Sequence, residues 1–460
     1  MNKPRITLED LFNLTGAVIY NPDTFSSSAV VSTDTRTIKK GSIFVAIKGD
    51  KMDGHKFVED AVKKGASAVV INKNKLKDFD DVEVTLVTVK DTTKAYGELA
   101  AMWRFKLKAR VVGITGSNGK TTTKEILSQL LEEKFSVAKT LSNNNNHIGV
   151  PLTILSTGGS KDALVLELGT NHFGEIAYTA QIARPDFALI TNIGESHLEF
   201  LHDLNGVAEE KLALFKAQNG PEARIFLNTD DKILKKKLKE YKNAVTFGFE
   251  GSPAIKGTIK GVGKEGKTKL CINYKGKEIE VQLPIHGLSS AKNFLAASAI
   301  ALEMGLSASQ LKSGAKKLKA VDKRLNVKVH DGFILVDDTY NANPLSMKSA
   351  FEFISGFEDR KKVAVLGDMF ELGSEALQAH KDLAKSVRKN KIHEVYTLGK
   401  WMKNLNGELQ NGKITSRHFK DRSSLADFLA NNDFEKSVIL VKGSRGMKME
   451  EFVKILEGRK

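Results

Sequence analysis

A single cysteine, Cys271, stands in this chain of 460 residues. That scarcity excludes an internal disulfide framework and any cysteine-rich metal site, and a reducing cytoplasm is the expected location. No apolar run approaches the ~18–20 residues that cross a bilayer, and the opening MNKPRITLEDLF has no apolar core of signal-peptide type. Stable membrane insertion is therefore not expected. Internal repeats and low-complexity tracts are missing, and no Ser-His-Asp or Cys-His arrangement supplies a convincing protein nucleophile. Lysine runs such as Lys235-Lys236-Lys237 carry no interleaved aromatics, and aromatic-rich platforms for single-stranded nucleic acid are lacking. The formal charge of +16 is read instead as a solvated lysine-rich surface that attracts small polyanions such as nucleotides. No nucleic-acid partner is expected.

What is present is the composition of a soluble globular protein, 41% hydrophobic and 27% charged. At ~150 residues per domain the length suggests about three. Residues 1–108 mix short apolar strands, such as 42–47 and 68–71, with helical stretches, and the helical run 92–107 closes this unit. Residues 109–320 open abruptly with a strand at 110–115, a glycine-containing turn and an amphipathic helix at 122–132. Apolar strands recur at 163–168, 187–191 and 224–227, alternating with helical segments, which implies a parallel sheet. Within 255–285 the period changes to two, as Leu270, Ile272 and Tyr274 and then Ile279, Val281, Leu283 and Ile285 alternate with polar residues around Lys275-Gly276. An antiparallel hairpin inserted in the central domain is expected there, followed by an apolar helix at 292–304. Residues 321–460 repeat the strand–helix alternation, with buried-strand patterns at 333–336, 362–366, 394–398 and 437–441. The expected class is α/β in three domains: a small N-terminal α/β domain, a central P-loop ATPase-like sheet and a C-terminal Rossmann-like sheet.

The sharpest local signal is Thr115-Gly116-Ser117-Asn118-Gly119-Lys120-Thr121-Thr122, lying between a strand and a helix. Glycines let backbone N–H groups wrap a phosphate, and the helix N-terminus favours its charge. Lys120 is placed to reach the β- and γ-phosphates of ATP, and the Thr121 hydroxyl to bind Mg²⁺. The strict pattern asks for glycine where Ile114 stands; Gly113 and Gly116 flank it, so the loop is a G-x-x-G-K-T variant. A phosphate cradle alone does not choose between kinase, motor, helicase and ligase. Two more residues at strand ends, Glu167 and His197, would line the same crevice and suit a metal beside the phosphates; taken alone, each serves equally well as a structural hydrogen-bonding residue.

With these segments in order, the chain resembles the Mur ligases, and among them those that add D-alanyl-D-alanine. The resemblance covers almost the whole chain. It is carried by the loop 115–122, by Asn145-Asn146-His147-Ile148-Gly149-Val150-Pro151, by 168–176 (LGTNHFGEI) and by 192–200. In the last domain it is carried by 337–344 (DDTYNANP), 367–373 (GDMFELG) and 441–445 (VKGSR); the DNPR tetrapeptide of the diaminopimelate-adding relatives is absent. The first domain contributes Ser32-Thr33-Asp34-Thr35-Arg36, 44–49 (FVAIKG) and Asp53-Gly54-His55.

The resemblance implies an ATP- and Mg²⁺-dependent amide ligase of peptidoglycan precursor synthesis, with UDP-N-acetylmuramoyl-tripeptide and D-alanyl-D-alanine as partners and a monomer as the expected state. It implies that Thr121 and Glu167 hold one Mg²⁺, and that Glu167 and His197 flank a second, supported by a carbamylated lysine that falls at Lys211. Without the resemblance, Lys211 reads as a surface lysine of a helix. It also implies nucleotide contacts from Asn293, Arg324 and Asp338, a UDP-sugar site near Ser32, Arg36 and Lys48, and substrate contacts from Asn145, Asn146, Lys442 and Arg445. The family's His-Asn after the glycine is replaced here by Leu288-Ser289-Ser290 following Gly287, which touches adenosine recognition. The alternatives are a sister ligase with another substrate, such as a folylpolyglutamate enzyme, and a nucleic-acid-stimulated NTPase.

Overall fold

The computed structural model describes residues 5–26, 30–262, 267–410 and 412–458. The first four residues of the opening segment, and 263–266 within the expected hairpin region, lie outside the described residues. The first sheet holds β1 (Val18–Tyr20), β2 (Val31–Ser32), β3 (Ile43–Val45), β4 (Ala68–Asn72) and β5 (Thr85–Val89), in the order β1-β5-β4-β3-β2. Only β1 runs antiparallel to its neighbour. The run Ala68-Val69-Val70-Ile71 is buried throughout, as a strand covered on both faces must be.

The helix Thr92–Lys106 follows, its N-terminus capped by the Asp91 carboxylate, which accepts from the N–H groups of Thr93 and Lys94. It belongs as much to the next sheet as to the first. The Trp103 indole N–H donates to the Thr157 carbonyl at 2.9 Å. The buried Arg104 guanidinium reaches the carbonyls of Ala183 and Arg184 and the Asp186 carboxylate, at 2.8, 2.9 and 2.9 Å. One continuous apolar core accordingly runs from Val45 and Val70 through Tyr96 and Leu99 to Ile154 and Leu166.

The central sheet has nine strands in the order β14-β13-β12-β11-β10-β9-β6-β8-β7. They are β6 (Arg110–Thr115), β7 (Val137–Lys139), β8 (Ala163–Glu167), β9 (Phe187–Ile190), β10 (Arg224–Asn228), β11 (Val245–Gly248), β12 (Ile255–Val262), β13 (Lys267–Tyr274) and β14 (Lys277–His286). All pairs from β7 to β12 are parallel, and β12, β13 and β14 form an antiparallel meander. The expected hairpin is therefore β13–β14. A third strand, β12, joins it edge-on to the parallel sheet. In β14 Ile279, Val281, Leu283 and Ile285 are buried, while Glu278, Glu280 and Gln282 face solvent, the period of two seen in the sequence. The buried faces pack on the helices Lys120–Leu131 and Leu288–Glu303 in a second core. The latter helix begins at Leu288, so Ser289 and Ser290 form its first turn.

The last sheet has the order β15-β16-β20-β17-β18-β19, with β15 (Asn326–Val329), β16 (Phe333–Asp338), β17 (Lys361–Gly367), β18 (Glu394–Leu398), β19 (Thr415–Phe419) and β20 (Ser437–Lys442). It is parallel except at β15. Val336, Ala364, Leu366 and Leu440 face one core, and Leu335, Val363, Val365 and Val441 face the other, so helices cover both faces of the sheet. No helix among the described residues is long and apolar enough to cross a membrane.

The Arg104–Asp186 contact gives a direct test of the join between the first two sheets. Arg104→Ala leaves the Ala183 and Arg184 carbonyls without their buried donor, while Asp186 keeps the Val111 N–H and the Asn219 amide, and should cost about 2 kcal/mol. The readout is the urea midpoint of unfolding; an unchanged midpoint would refute the join.

Candidate active site

Three parallel strands, β6, β8 and β9, end side by side, and the loops that leave them form the floor of a cleft. The loop after β6 is shaped by glycines. Gly116 has φ +147° and Gly119 φ +83°, and a Cβ at either would lie 1.9 Å from Thr191 Oγ1 or 2.3 Å from Asn293 Oδ1. Ser117 and Asn118 lock the loop to the end of β9. Ser117 Oγ donates to the Gly194 carbonyl at 2.7 Å, the Asn118 N–H donates to Asn192 Oδ1 at 3.0 Å, and Thr191 Oγ1 donates to the Asn118 carbonyl at 2.6 Å. Lys120 opens the following helix, and its ammonium donates to the Gly116 carbonyl at 2.6 Å. Burial pushes that ammonium below the usual lysine range; Glu167 opposes the shift and Arg324 adds to it.

Glu167 closes β8 and is 2% exposed. Its Oε1 accepts from Thr121 Oγ1 at 3.1 Å and from Asn145 Nδ2 at 2.9 Å, while its buried Oε2 has no hydrogen-bond partner.

The last domain forms the roof. Arg324 stacks on the Tyr340 ring, 3.9 Å from its centroid, and donates to Thr121 Oγ1 at 3.0 Å. The amides of Asn118 and Asn343 bond reciprocally at 3.3 and 2.9 Å. Between floor and roof lies a cavity of about 880 Å³. The loop from Ser117 to Thr122 lines it together with Asn145, Asn146, Glu167, His197 and Asn293 from below, and Arg324, Asp338, Lys442 and Arg445 from above.

Not every expected residue presents a free group there. Lys442 is 2% exposed, and its ammonium is taken up by Asp338 Oδ2 at 2.5 Å and the Asn341 carbonyl at 2.9 Å. It braces Asp338, whose other oxygen accepts from the Leu325 N–H. Arg445 sits at the rim, paired with Glu450 at 3.3 Å. His197 has φ +54° and approaches Glu371 of the roof, Nδ1 to Oε2 at 2.6 Å, though off the line of a ring hydrogen bond. That approach holds the Glu371 carboxyl below its usual range against the opposing effect of burial. Lys211 is 1% exposed in the helix Leu204–Lys216 and does not line the cavity. Burial drives its amine well below the usual lysine range, with Lys120 adding and Glu210 opposing.

The first domain holds a second cavity of about 740 Å³, lined by Lys48, His55, Lys75, Lys90 and the start of the helix Thr92–Lys106. Ser32 and Arg36 do not line it. Ser32 Oγ is engaged by Asp34 and Thr37, and Arg36 turns back on Asp34 at 2.7 Å, which lowers that carboxyl to about 2. Asn343 and Glu371 were not singled out as site residues from sequence, although each lies inside a segment that carried the resemblance.

Known proteins match along the whole length. Residues 28–104 fit a model described as "Mur ligase family, catalytic domain", 114–301 "Mur ligase middle domain" and 323–445 "Mur ligase, glutamate ligase domain". The UDP-N-acetylmuramoyl-tripeptide–D-alanyl-D-alanine ligase of Bacillus subtilis is 34% identical over 98% of both chains. The chain belongs to the Mur ligase family. Among solved structures, MurF from Acinetobacter baumannii superposes with a TM-score of 0.87 at 28% identity, covering 98% of this chain and 99% of that one. MurF ligase from Thermotoga maritima, in complex with ADP, superposes with a TM-score of 0.82 at 30% identity, covering 93% and 96%. This Mur ligase is an ATP-dependent enzyme with the three-sheet α/β architecture of those neighbours.

The loop geometry yields a test. Gly119→Ala forces both a strained φ and a clash with Asn293, and should weaken ADP binding about tenfold or more in a titration with a fluorescent analogue. Unchanged affinity would mean that the loop relaxes without cost.

Proposed function

We propose that this Mur ligase joins D-alanyl-D-alanine to the terminal carboxylate of UDP-N-acetylmuramoyl-tripeptide at the expense of ATP, in the cytoplasmic synthesis of peptidoglycan precursors. The observation that carries this reading is the full-length likeness to ligases named for that reaction, joined to a cleft that sets Lys120, Thr121 and Glu167 beneath Arg324.

The chain's residues divide the work. The loop from Gly116 to Thr122 holds the ATP phosphates through backbone N–H groups, and Lys120 and Arg324 neutralise charge on the group in transit. Asn293 and Asp338 flank the nucleotide. The tripeptide carboxylate attacks the γ-phosphorus as the bond to ADP breaks. The amine of D-alanyl-D-alanine then attacks the acyl carbon, phosphate leaves with the C–O bonding pair, and the amine proton is lost. The protein supplies no nucleophile. Burial between floor and roof keeps water from the acyl phosphate. Asn145, Asn146, Lys442 and Arg445 border the space left for the two peptide ends, and Lys48, which lines the cavity of the first domain, suits the UDP diphosphate better than the engaged Ser32 and Arg36 do.

The donor set fits Mg²⁺. Thr121 Oγ1 and Glu167 Oε1 lie 3.1 Å apart on residues that line the cavity, and both are oxygens of the hard type such an ion prefers. When bound, the ion supplies Lewis-acid charge neutralisation. The second expected position would lie between Glu167 and His197, which both line the cavity, whereas Lys211 is buried outside its lining.

Phosphate release should appear with ATP, Mg²⁺, UDP-tripeptide and D-alanyl-D-alanine together, and vanish on omission of the dipeptide or addition of a chelator. Release that ignores the dipeptide would contradict the reaction. Lys120→Ala should lower turnover by about 100- to 1000-fold while leaving UDP-tripeptide affinity intact by calorimetry, because the two ligands occupy different domains.

A further inference from the structure

Lys124 lies one helical turn beyond Lys120 in the helix Lys120–Leu131, yet it is wholly buried and takes no part in lining the nucleotide cavity. Burying an ammonium is costly unless it is paired, so its partners are informative. Its Nζ donates to the Thr140 carbonyl at 2.7 Å, stands 3.0 Å from Glu125 Oε1 and lies 3.7 Å from Glu167 Oε2. That Glu167 oxygen is the one without a hydrogen bond. Thr140 is engaged twice, because its hydroxyl also accepts from the Glu167 N–H at 3.0 Å. Glu125 is shared in turn with Lys139 at 2.5 Å. Lys124 thus ties the phosphate-loop helix, the end of β7 and the end of β8 together behind the carboxylate.

We propose that Lys124 is a positioning residue that acts through Glu167, setting a fixed positive charge behind Oε2 so that the carboxylate keeps its orientation toward Thr121 and the phosphates. The inference rests on the reading of Glu167 as a holder of the divalent ion. Two features separate this role from mere packing. The 3.7 Å separation is too long for a hydrogen bond, so the effect on Glu167 is electrostatic, and an apolar side chain of similar length would fill the same space without it. Oε1, meanwhile, is fixed by Thr121 and Asn145 from the cleft side, so the two carboxylate oxygens are held from opposite directions. Groups that orient a metal ligand in this way typically cost 10- to 100-fold in metal affinity when removed.

The experiment titrates Mn²⁺ into the full-length protein saturated with ADP, read by electron paramagnetic resonance, for the unaltered chain, K124M, K124Q and E167Q. K124M and K124Q should each weaken Mn²⁺ binding by about 10- to 100-fold with UDP-tripeptide affinity unchanged, and K124M added to E167Q should weaken it no further. K124Q keeps a donor for the Thr140 carbonyl but no charge, so it decides the matter alone if K124M does not fold. Normal Mn²⁺ affinity in K124Q, alongside a loss in E167Q, overturns the role of Lys124 and leaves the ion site standing. An equal further loss on adding K124M to E167Q marks a structural role and also overturns it. Normal affinity in E167Q removes the ion-site reading and this inference with it.

Discussion

The carboxylate of Glu167 ends a strand buried on both faces, and an ion in that position has to be answered by groups from outside its own strand. Thr121, Asn145 and Lys124 supply them, from the phosphate-loop helix and the Asn-rich turn, while the Thr140 hydroxyl after β7 accepts from the Glu167 backbone N–H. The segments that meet at this side chain thus come from both sides of β8. The glycines of the loop serve the same end. They let the backbone pass close to Thr191 and Asn293, which brings Lys120 and Thr121 down to the level of the carboxylate.

The roof is attached to this floor by polar contacts and by limited apolar packing, in which Leu198 touches the cores on both sides. Arg324 to Thr121 and the Asn118–Asn343 amide pair both touch the phosphate loop itself. A contact that exchanges readily with water is inexpensive to break, which suits a surface that must part to admit nucleotide and peptide. The opposite holds between the first two sheets, where Tyr96, Leu99 and Trp103 are buried in common with Ile154 and Ile182. Arg324 and Asp338 reach the nucleotide cavity from the roof, whereas the loop reaches it from the floor.

Much of this was legible from the chain alone because long apolar runs and a glycine-punctuated loop have few alternative readings. β4, β8, β16 and β20 are buried along their length and read as continuous hydrophobic segments. β7, β11, β15 and β19 escaped notice; they are short, and the first, third and fourth have half-exposed or exposed residues in place of an apolar run. β12 was concealed differently, since its glycine and lysine residues gave no clean alternation. In the site, strand-end position made Glu167 visible, and the preceding strand and turn made His197 visible. Burial did not show: Lys124, Lys211 and Lys442 look like any helix or strand-end lysine until the chain folds over them. Pairings across 225 residues, as between Asn118 and Asn343, leave no mark in local pattern at all.

The helix Thr92–Lys106 is anchored at one end in the first sheet and sunk at the other among Thr157, Ala183 and Asp186. A brace of that kind holds the cavity around Lys48 and the loop around Lys120 at a set spacing. For a ligand that bridges them, the fold then behaves as a ruler. If the proposed substrate spans the two, a stem shorter by one extended residue would end ~3.5 Å further from the loop.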